Sequence, residues 1–224
     1  FFINSIKYLS NNLVNLVDLI IFFQIIISLF SIIIFYKIVK FFEKDKLILL
    51  TTSAFAFFPL NVYAALQVSS IVIQIFFLLL FFYFLLKFHE NKKLINLINF
   101  SIFSGLLILT RGEFILFYVL TLLYFFIFFN KNIKAIFISL VVMILLISPY
   151  LYRNYTLFNT LTLTKSFGYN LLKGNNPSLK VEGDSVFINK KFNRKDLKIK
   201  TNNRYEINLD DYYKAKAIEF IFND

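Results

Sequence analysis

Ser148-Pro149-Tyr150-Leu151-Tyr152-Arg153-Asn154-Tyr155 closes the last long hydrophobic run of the chain. It opens a polar segment that carries Gly168-Tyr169-Asn170-Leu171 and then Gly174-Asn175-Asn176-Pro177. Upstream, apolar runs long enough for membrane helices follow one another with short basic connections between them. Downstream, charge and turn residues dominate. The stretch therefore marks where a membrane part stops, and it divides the chain into a helical bundle over 1–152 and a polar segment over 153–224.

Composition agrees with that division. Hydrophobic residues make up 58% of the chain and the mean hydropathy is +0.70, above the roughly one-half apolar share of a soluble domain. The 32 Phe residues need no special function, since Phe serves a lipid-facing helix as well as Leu does. Cys is absent, which removes disulfides, thiolate nucleophiles and Cys-based metal sites together. The single His, His89, lies in a Lys-rich connection and reads as solvated; it leaves no His triad and no two-His metal motif. No P-loop, dinucleotide fingerprint, nucleophile elbow or zinc motif is present, so no cofactor is evident. A divalent metal stays open.

A spanning helix needs about 20 mostly apolar residues. The candidate spans are 13–36, 47–66, 68–88, 94–110, 113–129 and 134–152, about six in all, with Pro59 and Asn61 placing a kink or turn in the second. Lys37, Lys40, Lys44 and Lys46 share one connection, Lys87, Lys92 and Lys93 another, and Lys131 and Lys134 a third. The intervening connections carry only Arg111. Basic residues stay in short cytoplasmic loops, which puts 1–12 and 153–224 outside the cytoplasm and the chain in the plasma (inner) membrane. The fold class expected is an all-α polytopic membrane protein followed by a small extracytoplasmic α+β segment.

From Arg153 onward there are thirteen Lys or Arg against eight Asp or Glu. A basic outer segment can attract anionic headgroups or phosphorylated substrates, or be a solvated face. Nucleic acid is excluded as a partner, because these residues adjoin a membrane bundle and face away from the cytoplasm. Within the segment, Val186-Phe187-Ile188 between Gly183-Asp184 and Asn193 suggests a hairpin over 181–200. Asn208 is placed to cap a helix with Asp210 and Asp211 in its first turn. Leu209, Tyr213, Ala217, Phe220 and Ile221 then share one face, which lies against the membrane surface or the bundle.

Ionisable residues at a membrane edge are functional candidates, and Arg111 with Glu113 stands between the fourth and fifth spans. A guanidinium there can hold a phosphate bidentately or snorkel to headgroups beside a solvated Glu113. Arg153, Asn154 and Tyr155 either contact substrate or anchor an aromatic belt. Gly168, Gly174 and the Asn175-Asn176-Pro177 run read as turns, which can also present polar groups to a sugar or phosphate. Asp18 reads as interfacial. Gln67 and Gln74 are placed to bond neighbouring helices.

Together these stretches resemble the membrane glycosyltransferases of the C-type fold, in particular the relatives of dolichyl-phosphate-mannose–protein mannosyltransferase and aminoarabinose transferase. Gly105 to Glu113 resembles the family's small-residue helix that ends in Leu-Thr-Arg and an acidic residue. Ser148 to Tyr155 resembles its Pro-Trp-x-x-Arg-Asn-Tyr exit, with Tyr150 where Trp is usual. Gly168 to Pro177 resembles its Gly-Tyr-Asn-Leu…Gly-Asn-Asn-Pro segment.

The resemblance implies transfer of a sugar from a polyprenyl-phosphate donor to a glycan, lipid or protein acceptor at the outer face of the membrane. It implies substrate contacts from Arg111, Glu113, Arg153, Asn154, Tyr155, Asn170 and Asn175. It also implies a catalytic acid in the first outer loop, expected upstream of Phe1, so the chain is read as a fragment and no residue here is assigned as general base. The competing readings are a transporter or flippase of a lipid-linked saccharide, or an inactive truncated relative. Transporters usually show repeated halves and mid-membrane polar residues, whereas this chain has no internal repeat.

Overall fold

Apolar runs with no water at hand must satisfy their backbone groups internally, and a single chain segment does so as a helix. The computed structural model describes residues 16–42, 46–128, 133–177, 188 and 204–223, and among these all regular structure is helical. In chain order the helices are α1 (Leu16–Val39), α2 (Lys46–Ala56), α3 (Pro59–Ala65), α4 (Ile71–Asn91) and α5 (Leu94–Thr110). A 3-10 turn (Gly112–Phe114) leads into α6 (Ile115–Phe128), followed by α7 (Ile133–Phe158), α8 (Phe167–Gly174) and α9 (Tyr205–Asn223). The chain forms two compact units, Phe1–Ile147 and Ser148–Asp224.

In the first unit, apolar side chains such as Phe22, Leu29, Phe30 and Ile33 on α1, and Leu116, Leu120 and Ile127 on α6, lie exposed. Helices that keep apolar residues on their outer faces are built for lipid, and this is a membrane protein. Helices α1, α4 and α7 are long and apolar enough to cross a bilayer, and α2 with α3 makes a fourth candidate span bent by 47°. Helix α5 and the segment Gly112–Phe128 are apolar but shorter. Seventeen residues of α5 rise about 25 Å, short of a hydrocarbon core of roughly 30 Å. By length, then, three to four spans stand where the sequence suggested six.

The break between α2 and α3 falls where Pro59 was expected to put it. Pro59 occupies the first turn of α3, where its missing N–H costs nothing. Asn61 Nδ2 donates to the Phe55 carbonyl at 3.1 Å, reinforcing an acceptor that otherwise has only the long Phe58 N–H at 3.4 Å. Pro149 behaves differently. It lies inside α7, which continues to Phe158, so the proline does not end the helix. Lipid-exposed helices tolerate Pro because neighbouring groups re-satisfy the backbone.

Aromatic and hydroxyl side chains join the helices of this unit. Phe100 on α5 is fully buried and meets Phe81 of α4 at 4.9 Å, and Tyr118 and Phe125 of α6 at 6.0 and 5.6 Å. Beside it, Tyr118 Oη lies 2.8 Å from Ser139 Oγ. Ser139 Oγ lies 2.8 Å from Ser101 Oγ, and Ser101 donates to the Leu97 carbonyl at 2.8 Å. If Tyr118 donates to Ser139 and Ser139 to Ser101, one proton per hydroxyl satisfies the chain. It ties α5, α6 and α7 together.

One lysine from each of the first two Lys-rich stretches meets at a single ring. Lys37 and Lys87 both lie over the Tyr83 ring, at 5.9 and 5.2 Å. His89 was expected to be merely solvated. It is exposed, yet its Nδ1 is 2.6 Å from the Tyr124 hydroxyl near the end of α6. Gln67 is exposed, and neither its side chain nor that of Gln74 makes a hydrogen bond to a neighbouring helix among the described residues. That role falls to Gln24 in mid-α1, which is buried and donates through Nε2 to the Ser69 carbonyl. Asp18 sits exposed in the first turn of α1, where the helix dipole favours an acid.

The second unit contains no strand among its described residues. The hairpin expected over 181–200 lies outside them except for Ile188, which is buried with Leu172, Leu209, Tyr213 and Ala217 in one core. Gly168 is helical, on α8, rather than in a turn, and Asn170 lies on the same helix. Helix α9 begins at Tyr205, so Asn208 lies inside it, with its N–H on the Arg204 carbonyl; it is not the cap. Leu209, Tyr213 and Ala217 do share a buried face with Phe220 partly buried beside them, whereas Ile221 is exposed. That face packs on α8 of its own unit.

Asp210 explains how α8 and α9 meet. Its Oδ2 accepts the Gly168 N–H at 3.0 Å and its Oδ1 the Tyr169 N–H at 2.9 Å. A carboxylate thus satisfies two orphan donors at the start of α8, where the dipole favours negative charge. The approach requires Gly168, since a Cβ there would lie 1.9 Å from the Asp210 carbonyl oxygen and 2.9 Å from the Lys214 nitrogen.

Two outcomes follow. Gly168→Ala should lower the stability of the second unit by about 1–3 kcal/mol, read as earlier proteolysis around 167–174 in the intact chain; protection equal to the parent's would refute the backbone contact. Ser139→Ala, which interrupts the hydroxyl chain, should cost about 0.6–1.7 kcal/mol in thermal unfolding in detergent, and a Tyr118→Phe, Ser139→Ala double variant should lose less than the sum of the single losses.

Candidate functional site

Arg111 owes its position to the end of α5. The helix stops at Thr110, and Arg111 takes an extended conformation (φ −150°, ψ 117°) with its N–H on the Leu107 carbonyl. Gly112 then starts a single 3-10 turn, closed by the Phe114 N–H on the Arg111 carbonyl at 3.1 Å. Two apolar helices are thereby joined by four residues, Arg111 to Phe114, and the ionisable pair is set at their junction. Arg111 Nη2 lies 3.2 and 3.4 Å from the two carboxylate oxygens of Glu113. The side chains are 51% and 72% exposed, so the pair contributes at most about 1 kcal/mol. Its guanidinium keeps further donors for an anion.

Arg153, Asn154 and Tyr155 occupy the last turns of α7. Asn159 ends that helix in the left-handed region (φ 55°), its N–H on the Tyr155 carbonyl at 2.7 Å, a common helix stop for Asn. Asn154 is buried, donates to the Thr162 carbonyl at 2.7 Å and accepts from Arg153 Nη1 at 3.3 Å. It therefore folds the departing chain back on the helix and steadies Arg153, while Arg153 and Tyr155 themselves are exposed.

Asn170 is exposed on α8, and Asn175 donates to the Leu171 carbonyl at 2.9 Å. Asn176, buried, donates to the carbonyls of Leu172 and Lys173. The two asparagines after Gly174 thus close the C-terminus of α8, leaving Asn170 as the open amide of the group. The structure brings Arg111 to Glu113 and Arg153 to Asn154. Asp210 went unnoticed in its actual role; its signal was a helix start without a cap of its own, since Ser166 makes no side-chain cap bond. Gln24 was missed too, though it is a lone amide inside a 24-residue apolar helix.

A helical membrane protein with basic residues at helix junctions is the class that these observations define. Residues 6–152 match the model of the dolichyl-phosphate-mannose-protein mannosyltransferase family, about two thirds of the chain, and the protein belongs to that family. No curated protein and no solved structure matches it. The match takes in Arg111, Glu113 and the turn up to Tyr152, and stops before the Gly168 to Pro177 segment.

Asn154→Ala is expected to cost about 0.5–1.5 kcal/mol and to speed hydrogen exchange of the amides that follow α7, around 160–163, in the detergent-solubilised chain. Unchanged exchange there would remove Asn154 from this role.

Proposed function

We propose that the protein transfers a sugar from a polyprenyl-phosphate donor to an acceptor hydroxyl at the outer face of the plasma membrane, within a bundle that crosses the bilayer six times. The family match over 6–152 is the observation that carries the reading. The end-on gathering of Lys37, Lys87 and His89 in the first unit supports a common, cytoplasmic side for the basic connections. Arg111, at a connection between the other helix ends, then faces outward with Glu113. The shorter α5 and α6 reach across by local thinning of the bilayer and by tilt of their neighbours.

In the transfer, the bond from the anomeric carbon to the phosphate oxygen breaks and one to the acceptor oxygen forms. The acceptor proton passes to a carboxylate, and general-base help of this kind contributes roughly 10²–10⁴-fold. The leaving phosphate gains negative charge as its bond breaks. Preorganised cations stabilise such charge more in the transition state than in the ground state, and Arg111 and Arg153 have the donors for it. Glu113 holds the Arg111 fork in place. Asn154 does the same for Arg153, and Tyr155, Asn170 and Asn175 contribute polar contacts to the sugar or acceptor.

The test is sugar transfer by purified protein in detergent, where no second compartment exists and a transporter has nothing to move. Arg111→Ala should lower kcat by about 10²-fold with unfolding unchanged, and Arg111→Lys should recover part of the loss. Normal turnover in the alanine variant would sink the assignment of Arg111.

A further inference from the structure

The second unit holds a cavity of about 280 Å³ between the start of α8 and the first turns of α9 that none of the roles above uses. Its walls include Lys165, Ser166, Tyr169, Glu206, Asp210 and Tyr213. Part of this wall is rigid. Asp210 is held by the two α8 amides, Tyr213 is buried in the core, and Tyr169 meets the Tyr213 ring edge-on at 5.9 Å. Part of it is available. Glu206 is exposed and makes no hydrogen bond or ion pair among the described residues. The Lys165 ammonium rests 3.8 Å from the Phe158 ring centroid and keeps its donors.

This chemistry selects among ligand classes. An apolar ligand would strip water from the Glu206 carboxylate and the Lys165 ammonium and offer them nothing in return, which is costly. A simple anion would face Glu206 and Asp210, and a simple cation would face Lys165. A polyhydroxylated ring meets all of them. Its hydroxyls donate to the carboxylates and accept from the ammonium and Ser166, while its C–H face rests on a tyrosine ring. The volume lies just under the roughly 300–1,000 Å³ of drug-sized ligand sites, which suits one sugar ring and not a prenyl chain.

We infer that this cavity is a saccharide subsite that binds one hexose ring through Glu206 and Lys165. The ring's part in turnover rests on the transferase reading above; its binding does not. The ring can belong to the acceptor or to the donor's sugar, and the shared chemistry is the hydroxylated ring.

Saturation-transfer NMR on the purified chain in detergent, with methyl α-mannopyranoside as probe, tests it. Saturation of the ring protons is expected, reduced at least fivefold by Glu206→Gln and by Lys165→Met, each checked for parental helicity by circular dichroism. No transfer above a protein-free detergent sample, or equal transfer in both variants, overturns the subsite. Displacement of the probe by a free mannose oligosaccharide supports an acceptor subsite, and displacement only by a short-chain prenyl-phosphate mannose supports a donor subsite. Binding without sugar transfer supports the subsite while removing the transferase reading. Transfer without binding does the opposite.

Discussion

The absence of water inside a bilayer governs how the first unit is joined. There a polar group without a partner costs several kcal/mol, so the polar side chains that bond across elements say which elements must meet. Gln24 reaches the Ser69 carbonyl and fixes α1 to the chain entering α4. Asn61 reaches Phe55 and makes the bent pair α2–α3 one object instead of two loose pieces. Ser101, Tyr118 and Ser139 share one chain of hydroxyls. Around these few directional contacts the Phe rings supply non-directional packing, with Phe100 as the point where three helices touch.

The second unit is held together in a different way. Its core is a handful of residues around Leu172 and Tyr213, too little apolar surface to fix two helices by itself. The directional part comes from one carboxylate, Asp210, which caps a helix that is not its own. That arrangement gives Gly168 a purpose other than a turn: its missing side chain admits the backbone of α9. The family-like Gly-Tyr-Asn-Leu and Gly-Asn-Asn-Pro stretches are thus, in this chain, the docking face and the end of one short helix.

Much of the fold was legible because hydrocarbon rewards a simple pattern. The apolar runs became helices, Pro59 broke one, and the lysines of alternate connections met around Tyr83. What failed to show was anything decided by length or by tertiary contact. Seventeen residues of α5 read as a span, yet their rise is shorter than a typical hydrocarbon core. The last span was read to end at residue 152, yet α7 carries on to Phe158. Asn208 looked like a cap for want of any sign that α9 starts at Tyr205. At the candidate site, the Arg111–Glu113 pair could be anticipated from spacing alone, since two residues in one tight turn are bound to be neighbours. The ties made by Asn154 and Asp210 span 8 and 42 residues and leave no local trace.

Helix α5 carries Ser101, locked among hydroxyls, and delivers Arg111 ten positions on, just past its last residue; both belong to the first unit. Along an uninterrupted helix each residue advances about 1.5 Å and turns about 100°, so the two are geared to one another as points on a single screw. An insertion or deletion of one residue between them would swing the guanidinium by more than a quarter turn while leaving every hydrophobic residue hydrophobic. The length of this stretch thus fixes the direction of the guanidinium, which its apolar composition alone does not.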